Sequence, residues 1–269
     1  MEAAKIGTII IIESLKDNET KTGSNLYNDV ICRYLEYHGN KKKIKHELHI
    51  INSKSDFFIL LKEIIQNYKS YPSGILLHFE MHGASDKSGL VLSNDSHITW
   101  KELQVPFIEL NVILDNELYI SMATCFGRFL HEAIEFRKKA PFRAFISASK
   151  EVSPVQISQS FEAIFEKLAE TCDLLMSYCF VMNNEKIFFY HDSREVWKLA
   201  IAKTFYDLDN DKEAKAEFDK GIKEDWEKLS KEKKLIPFES MNFEYIKQLV
   251  RNNLILETKS NFYFGTAAL

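Results

Sequence analysis

An α/β domain with a mostly parallel central sheet flanked by helices, followed by a helical C-terminal extension, is what this sequence predicts. Three observations carry the expectation. Short β-branched runs alternate with amphipathic stretches through the first half of the chain, as in successive βαβ units. After Pro154 the strand-like runs give way to apolar residues at helical spacing. The length of 269 residues, 45% hydrophobic and 28% charged, suits one medium domain or a domain with an extension.

The elements follow in order. Residues 5–14 hold the run Thr8-Ile9-Ile10-Ile11-Ile12, which reads as a strand buried on both faces. Residues 24–38 place Leu26, Val30, Tyr34 and Leu35 on one helical face, with Gly39 as the stop. A second strand is expected at 46–52. A helix follows at 56–68, its stripe made by Phe57, Leu61, Ile64, Ile65 and Tyr68. The third strand falls at 74–80. Between 88 and 114, Gly89-Leu90-Val91-Leu92 and Ile98-Thr99-Trp100 read as a hairpin, followed by a short helix from Lys101. The fourth strand is 118–123 and the fifth 142–148, with a helix at 129–136 between them. Beyond Pro154, residues 158–172 carry Phe161, Ile164, Phe165 and Leu168 at helical spacing. Residues 195–206, 214–229 and 242–254 read as helices too; Ala214, Phe218, Ile222, Trp226 and Leu229 line one face of the second. A soft boundary near 190–193 divides a first domain, 1–192, from a helical extension, 193–269, packed on it.

The bulk chemistry excludes several function classes. A net charge of −4 leaves no basic stripe of the kind that binds nucleic acid. The run Lys41-Lys42-Lys43 follows a helix stop and reads as a solvated loop. Cys32, Cys125, Cys172 and Cys179 match neither a zinc-binding CxxC spacing nor a disulfide framework. The run from Ile9 to Ile12 is too short for a secretory leader, and no apolar stretch approaches the ~20 residues of a membrane span. The expectation is a cytoplasmic protein with free thiols and no membrane contact. Cys32, Cys172 and Cys179 sit in helical apolar stretches and are expected in the core. His131-Glu132 lacks the second histidine of a zincin motif. The segment from Asp207 to Phe218 has Lys212 and Phe218 where a calcium loop needs Gly and Glu. Phosphate-binding glycine loops are missing as well, so no metal and no cofactor is expected.

Two predicted strands end in reactive residues. The third runs into His82-Gly83 and the fourth into Thr124-Cys125-Phe126-Gly127. In open α/β sheets, sites form outside the carboxyl ends of the strands. If these strands are neighbours, a nucleophile and an acid/base partner emerge side by side. The helix expected after Cys125 would favour its thiolate through the dipole at its N-terminus. His78, in mid-strand, reads as structural. Glu80 shares the face of His82 and is expected either to orient the imidazole or to lie at the pocket rim.

These residues resemble the caspase-like cysteine peptidases. Cys125-Phe126-Gly127 matches the Cys-x-Gly of that family, and His82 precedes the cysteine by 43 residues. The block from His82-Gly83 through Gly89–Val91, Ile98-Thr99-Trp100 and Leu103 is similar to the histidine loop and hairpin of the bacterial CHAT-type branch. The resemblance covers roughly the first half of the chain. It implies a three-layer caspase-like fold and a cysteine endopeptidase with a Cys125–His82 dyad. It also implies an oxyanion hole from the backbone N–H groups of Gly83 and Cys125, protein or peptide substrates, a regulatory protein partner, and a role as a bacterial signalling or defence effector. Met122-Ala123-Thr124 departs from the Gln-Ala that precedes the cysteine in metazoan members. Candidate specificity residues are Glu13, Glu80, Ser147, Ser149 and Glu151. Arg143 stands at the start of its strand, so no arginine is expected in the pocket, and a basic or small neutral P1 residue is favoured over aspartate. Two other readings stay open: an inactive caspase-like interaction module, and a different thiol hydrolase or transferase on a similar sheet.

Overall fold

The structure, a computed structural model, describes residues 2–39, 43–72, 74–181, 187–233 and 242–264. Lys41 and Lys42 lie outside the described residues. The described chain forms two compact units, one running to Ser193 and the other spanning Arg194–Tyr263.

In the first unit the sheet is built around β1 (Thr8–Ser14), every residue of which is buried. Its isoleucines explain the layers. Ile10 and Ile12 pack into one core and Ile9 and Ile11 into the other, because successive side chains point to opposite faces. The chain then enters α1 (Thr22–Asn25), a π-helical stretch over Leu26–Cys32, and α2 (Arg33–Tyr37). β2 (Lys45–Ile50) pairs parallel with one side of β1. After α3 (Lys54–Gln66), β3 (Ile75–Gly83) pairs parallel with the other side. The hairpin β4 (Gly89–Val91) and β5 (His97–Thr99) hangs antiparallel from the end of β3. Next come α4 (Trp100–Ile113), β6 (Leu118–Ala123) beside β3, and β7 (Ala144–Ala148) beside β6. The unit closes with α5 (Pro154–Thr171), α6 (Leu174–Val181) and β8 (Phe188–Asp192). The main sheet has the order β2-β1-β3-β6-β7-β8, with β8 antiparallel to β7.

Helix starts are written locally. Ser53 with Asp56, Thr99 with Glu102 and Ser153 with Gln156 form capping boxes at α3, α4 and α5. Each cap satisfies N–H groups that the first helical turn leaves without a partner. Pro154 opens α5, where its missing N–H costs nothing.

Several expectations need correction. The helix expected at 129–136 is a 3₁₀ helix at Gly127–Ala133. The short helix from Lys101 runs for 14 residues and continues through Pro106. α6 falls where Cys179 was read in a helical apolar stretch without bounds, and β8 occupies a stretch for which the sequence suggested no element. Cys179 is exposed, while Cys32 and Cys172 are half-buried, so none of the three is a fully buried core thiol.

The second unit contains the helices α7 (Ser193–Asn210) from Arg194 onward, α8 (Lys212–Lys233) and α9 (Phe243–Phe262). Trp197 Nε1 donates to Thr258 Oγ1 at 2.9 Å, and Arg251 pairs with Asp209 at 2.7 Å. Among the described residues, no helix is long and apolar enough to cross a membrane.

Candidate active site

The registers of two parallel strands bring His82 and Cys125 together. Glu80 of β3 lies opposite Ala123 of β6. His82 stands two residues beyond the first and Cys125 two beyond the second, so both leave the sheet at the same carboxyl-end edge. Thr124 stitches the two chains there: its buried Oγ1 donates to the Met81 carbonyl at 3.0 Å. Gly83 is forced by the same closeness. A Cβ built on it would stand 1.9 Å from the Cys125 carbonyl oxygen, which no side chain tolerates.

After Cys125 the backbone turns sharply. Phe126 is left-handed, with φ of 57°, and its N–H donates to the Lys150 carbonyl at 3.3 Å. This turn leaves the thiol half-buried at the mouth of a cavity. The Val152 N–H donates to Sγ at 3.4 Å. The thiol in turn lies 3.7 Å from the Val152 carbonyl, to which it can donate. The α-helical N-terminus expected here is replaced by the left-handed residue and the 3₁₀ turn.

The cavity has a volume of about 330 Å³. Its wall includes Thr22, Glu80, Ala123, Val152 and Ile157, with His82 and Cys125 at its edge and Leu15 and Glu19 from the loop after β1. Two carboxylates line it, Glu19 and Glu80, and no lysine or arginine does so among the described residues.

Glu80 is 2% exposed and held from both sides. One oxygen accepts from Thr22 Oγ1 at 2.7 Å, and the other meets His78 Nε2 at 3.0 Å. His78, fully buried, reaches Ser121 Oγ at 2.7 Å through Nδ1 and packs edge-on against Phe161 and Phe165. Glu80 therefore bonds His78 rather than His82. The imidazole of His82 turns instead to Glu19, whose Oε1 lies 2.9 Å from Nε2. Burial pulls the Glu19 carboxyl up, but the Lys16 N–H at 2.7 Å and the His82 ring outweigh it and hold it below the usual range.

The other candidates lie elsewhere. Glu13 is fully buried and takes the Ser24 N–H and hydroxyl at 2.9 Å each, at the start of the helical stretch 22–37. Ser147 is buried beneath Gly127, its hydroxyl without a partner among the described residues. Ser149 is half-buried and Glu151 exposed, in the connection from β7 to α5. None of these four lines the cavity. The arginines stay away as well: Arg143 pairs with Asp192, Arg128 is exposed, and Arg194 belongs to the second unit. Glu19 escaped the sequence reading. Its signal was faint: it sits in a loop that leaves the carboxyl end of a central strand.

A thiol, an imidazole and a cavity deep enough for one side chain can support acyl transfer, with the sulfur as nucleophile and the ring as proton carrier.

No family model matches the chain, and no curated protein matches it in sequence. Among solved structures it resembles a secreted C11 cysteine protease from Bacteroides thetaiotaomicron in complex with an irreversible peptide inhibitor. The TM-score is 0.50 at 10% identity, covering 75% of this chain and 70% of that one. The likeness is one of fold, and the fold is that of the caspase-like peptidases.

Proposed function

We propose that the protein is a cysteine endopeptidase in which Cys125 is the nucleophile and His82 the acid/base. One observation carries this reading: both residues line a single cavity at the carboxyl ends of adjacent parallel strands. The fold shared with a cysteine protease adds support.

In the proposed reaction His82 takes the thiol proton and Sγ bonds to the scissile carbonyl carbon. The carbonyl oxygen becomes an oxyanion facing the backbone N–H groups of Gly83 and Cys125. Such donors are worth about 3 kcal/mol each in a transition state. The C–N bond then breaks, the leaving amine takes the proton from His82, and a thioester remains. Water, deprotonated by His82, attacks the thioester; the new acid departs and the proton returns to sulfur.

The cavity is the S1 pocket in this reading. Glu80, at its wall, repels an aspartate and accepts the cation of a lysine or arginine P1 side chain. Among the described residues the lining holds no arginine to read aspartate, so the preference is for basic or small neutral residues. The CHAT-type branch and a signalling or defence role remain parts of this proposal that rest on the sequence block around His82, and a cytoplasmic setting rests on the spacing of the cysteines.

The test is covalent capture. A peptide carrying an electrophile after a P1 lysine is expected to add its mass once to the protein, on Cys125. Capture elsewhere, or none with any P1 residue, rejects the reading in favour of an inactive interaction module.

A further inference from the structure

The geometry points to Glu19 as a positioning residue that fixes the tautomer and orientation of His82. This inference rests on the acid/base role of His82 proposed above.

Three observations converge on it. First, the contact is directional. Glu19 Oε1 lies 2.9 Å from Nε2, and His82 Nδ1 has no partner among the described residues. A carboxylate accepts only, so the proton between them sits on Nε2. The other ring nitrogen, Nδ1, is thereby left to accept the thiol proton and pass it to the leaving amine.

Second, the carboxylate is itself held. Its other oxygen accepts the Lys16 N–H at 2.7 Å. The loop that carries it, from Leu15 to Lys21, is fastened at several points. Lys16 Nζ meets Asp95 Oδ1 at 2.6 Å, on the turn between β4 and β5. Lys21 Nζ donates to the carbonyls of Leu15 and Lys16 at 2.6 and 2.9 Å. A loop that only covered the cavity would not require these ties around one carboxylate.

Third, His82 has no other hydrogen-bond anchor among the described residues. Glu80, on the same face of β3, is committed to His78 and Thr22. The His82 side chain is 51% exposed, so without Glu19 its ring would sample many orientations in water.

The pair is exposed enough that losing it leaves folding nearly untouched, which makes the test clean. Glu19→Gln presents either an acceptor or a donor to Nε2 and so no longer selects one tautomer. For a peptide with P1 alanine, which brings no cation to the cavity carboxylates, the expected result is a kcat lowered about 10- to 100-fold with KM within about two-fold, at an unchanged thermal midpoint. A second readout does not depend on activity. The imidazole ¹⁵N shifts of His82, identified among the eight histidines by comparison with His82→Gln, are expected to show the Nε2–H form in the native protein and a mixture in Glu19→Gln. An unchanged tautomer in the variant overturns the proposal. A kcat that stays level or rises also overturns it, a rise marking Glu19 as an inhibitory contact. If the native protein cleaves nothing while the tautomer shift is seen, the positioning contact stands and the peptidase reading fails.

Discussion

At the scale of single residues, the site depends on a few atoms with little tolerance. Cys125→Ala removes only the sulfur from a half-buried position. Hydrolysis by the purified variant is expected to fall at least ~10³-fold while its circular dichroism and melting curve stay native. Cleavage at the native rate would reveal another nucleophile. Gly83→Ala is the opposite kind of change. The added methyl would stand 1.9 Å from the Cys125 carbonyl oxygen, so the backbone on one side or the other must move. A stability loss of at least ~2 kcal/mol by urea denaturation, together with lost activity, is the expected outcome. The place of His82 and Cys125 at neighbouring strand ends was legible in the sequence, because each closes a strand-like run near a glycine. Glu19 was not, since nothing local says which side chain a loop carboxylate will meet.

At the scale of elements, the edge strand β8 and the helix α4 are secured in different ways. β8 is held to β7 partly by the buried Arg143–Asp192 pair. Asp192→Ala leaves the guanidinium with only the more exposed Glu2 at 3.4 Å among its recorded ion pairs. A loss of about 3 kcal/mol in urea unfolding is expected; a change below ~1 kcal/mol would show the pair to be dispensable. α4, which follows the hairpin, begins in a capping box that titrates. Lys54 and the Thr99 N–H pull the Glu102 carboxyl down to about 2. A carboxyl lower in the folded chain than its usual 4.5 stabilises fully above that value, and the gain is lost as the pH falls toward about 2. The group is partly exposed, so the gain is under ~1 kcal/mol. Glu102→Gln is expected to be less stable than the native protein at pH 7 and to match it near pH 2. An equal gap at both pH values would mean that the charge is irrelevant. The start of α4 was readable from the Ile98-Thr99-Trp100 run before it, whereas its length was not, since the helix continues through Pro106. β8 was missed because Phe188–Asp192 is short and lies among helices; only its antiparallel place beside β7 makes it a strand.

At the scale of the whole molecule, the proposed reading has the net charge of −4 and the two cavity carboxylates act together on a cationic substrate. In the proposed reading, kcat/KM for a peptide with P1 lysine exceeds that for P1 aspartate by about 10-fold or more and falls as salt rises from 0.05 to ~0.5 M. A peptide with P1 alanine should respond far less to salt. Preference for aspartate would require an arginine that the described lining lacks. The sequence by itself determined the layers: the isoleucine run of β1, the periodicities of α3 and α5, the caps and the two reactive strand ends are local patterns, each set by burial or backbone satisfaction within a few residues. Tertiary structure decided everything that depends on register and on partners distant in sequence. It set Glu80 opposite Ala123, and so placed His82 and Cys125 on one cavity. It took Glu13 to a helix start and out of the cavity, Glu80 to His78, and Glu19 to His82. The reason is physical: a period of 3.6 or 2 residues fixes which face a side chain occupies, but a hydrogen-bond partner is chosen by which chains the sheet order lays side by side.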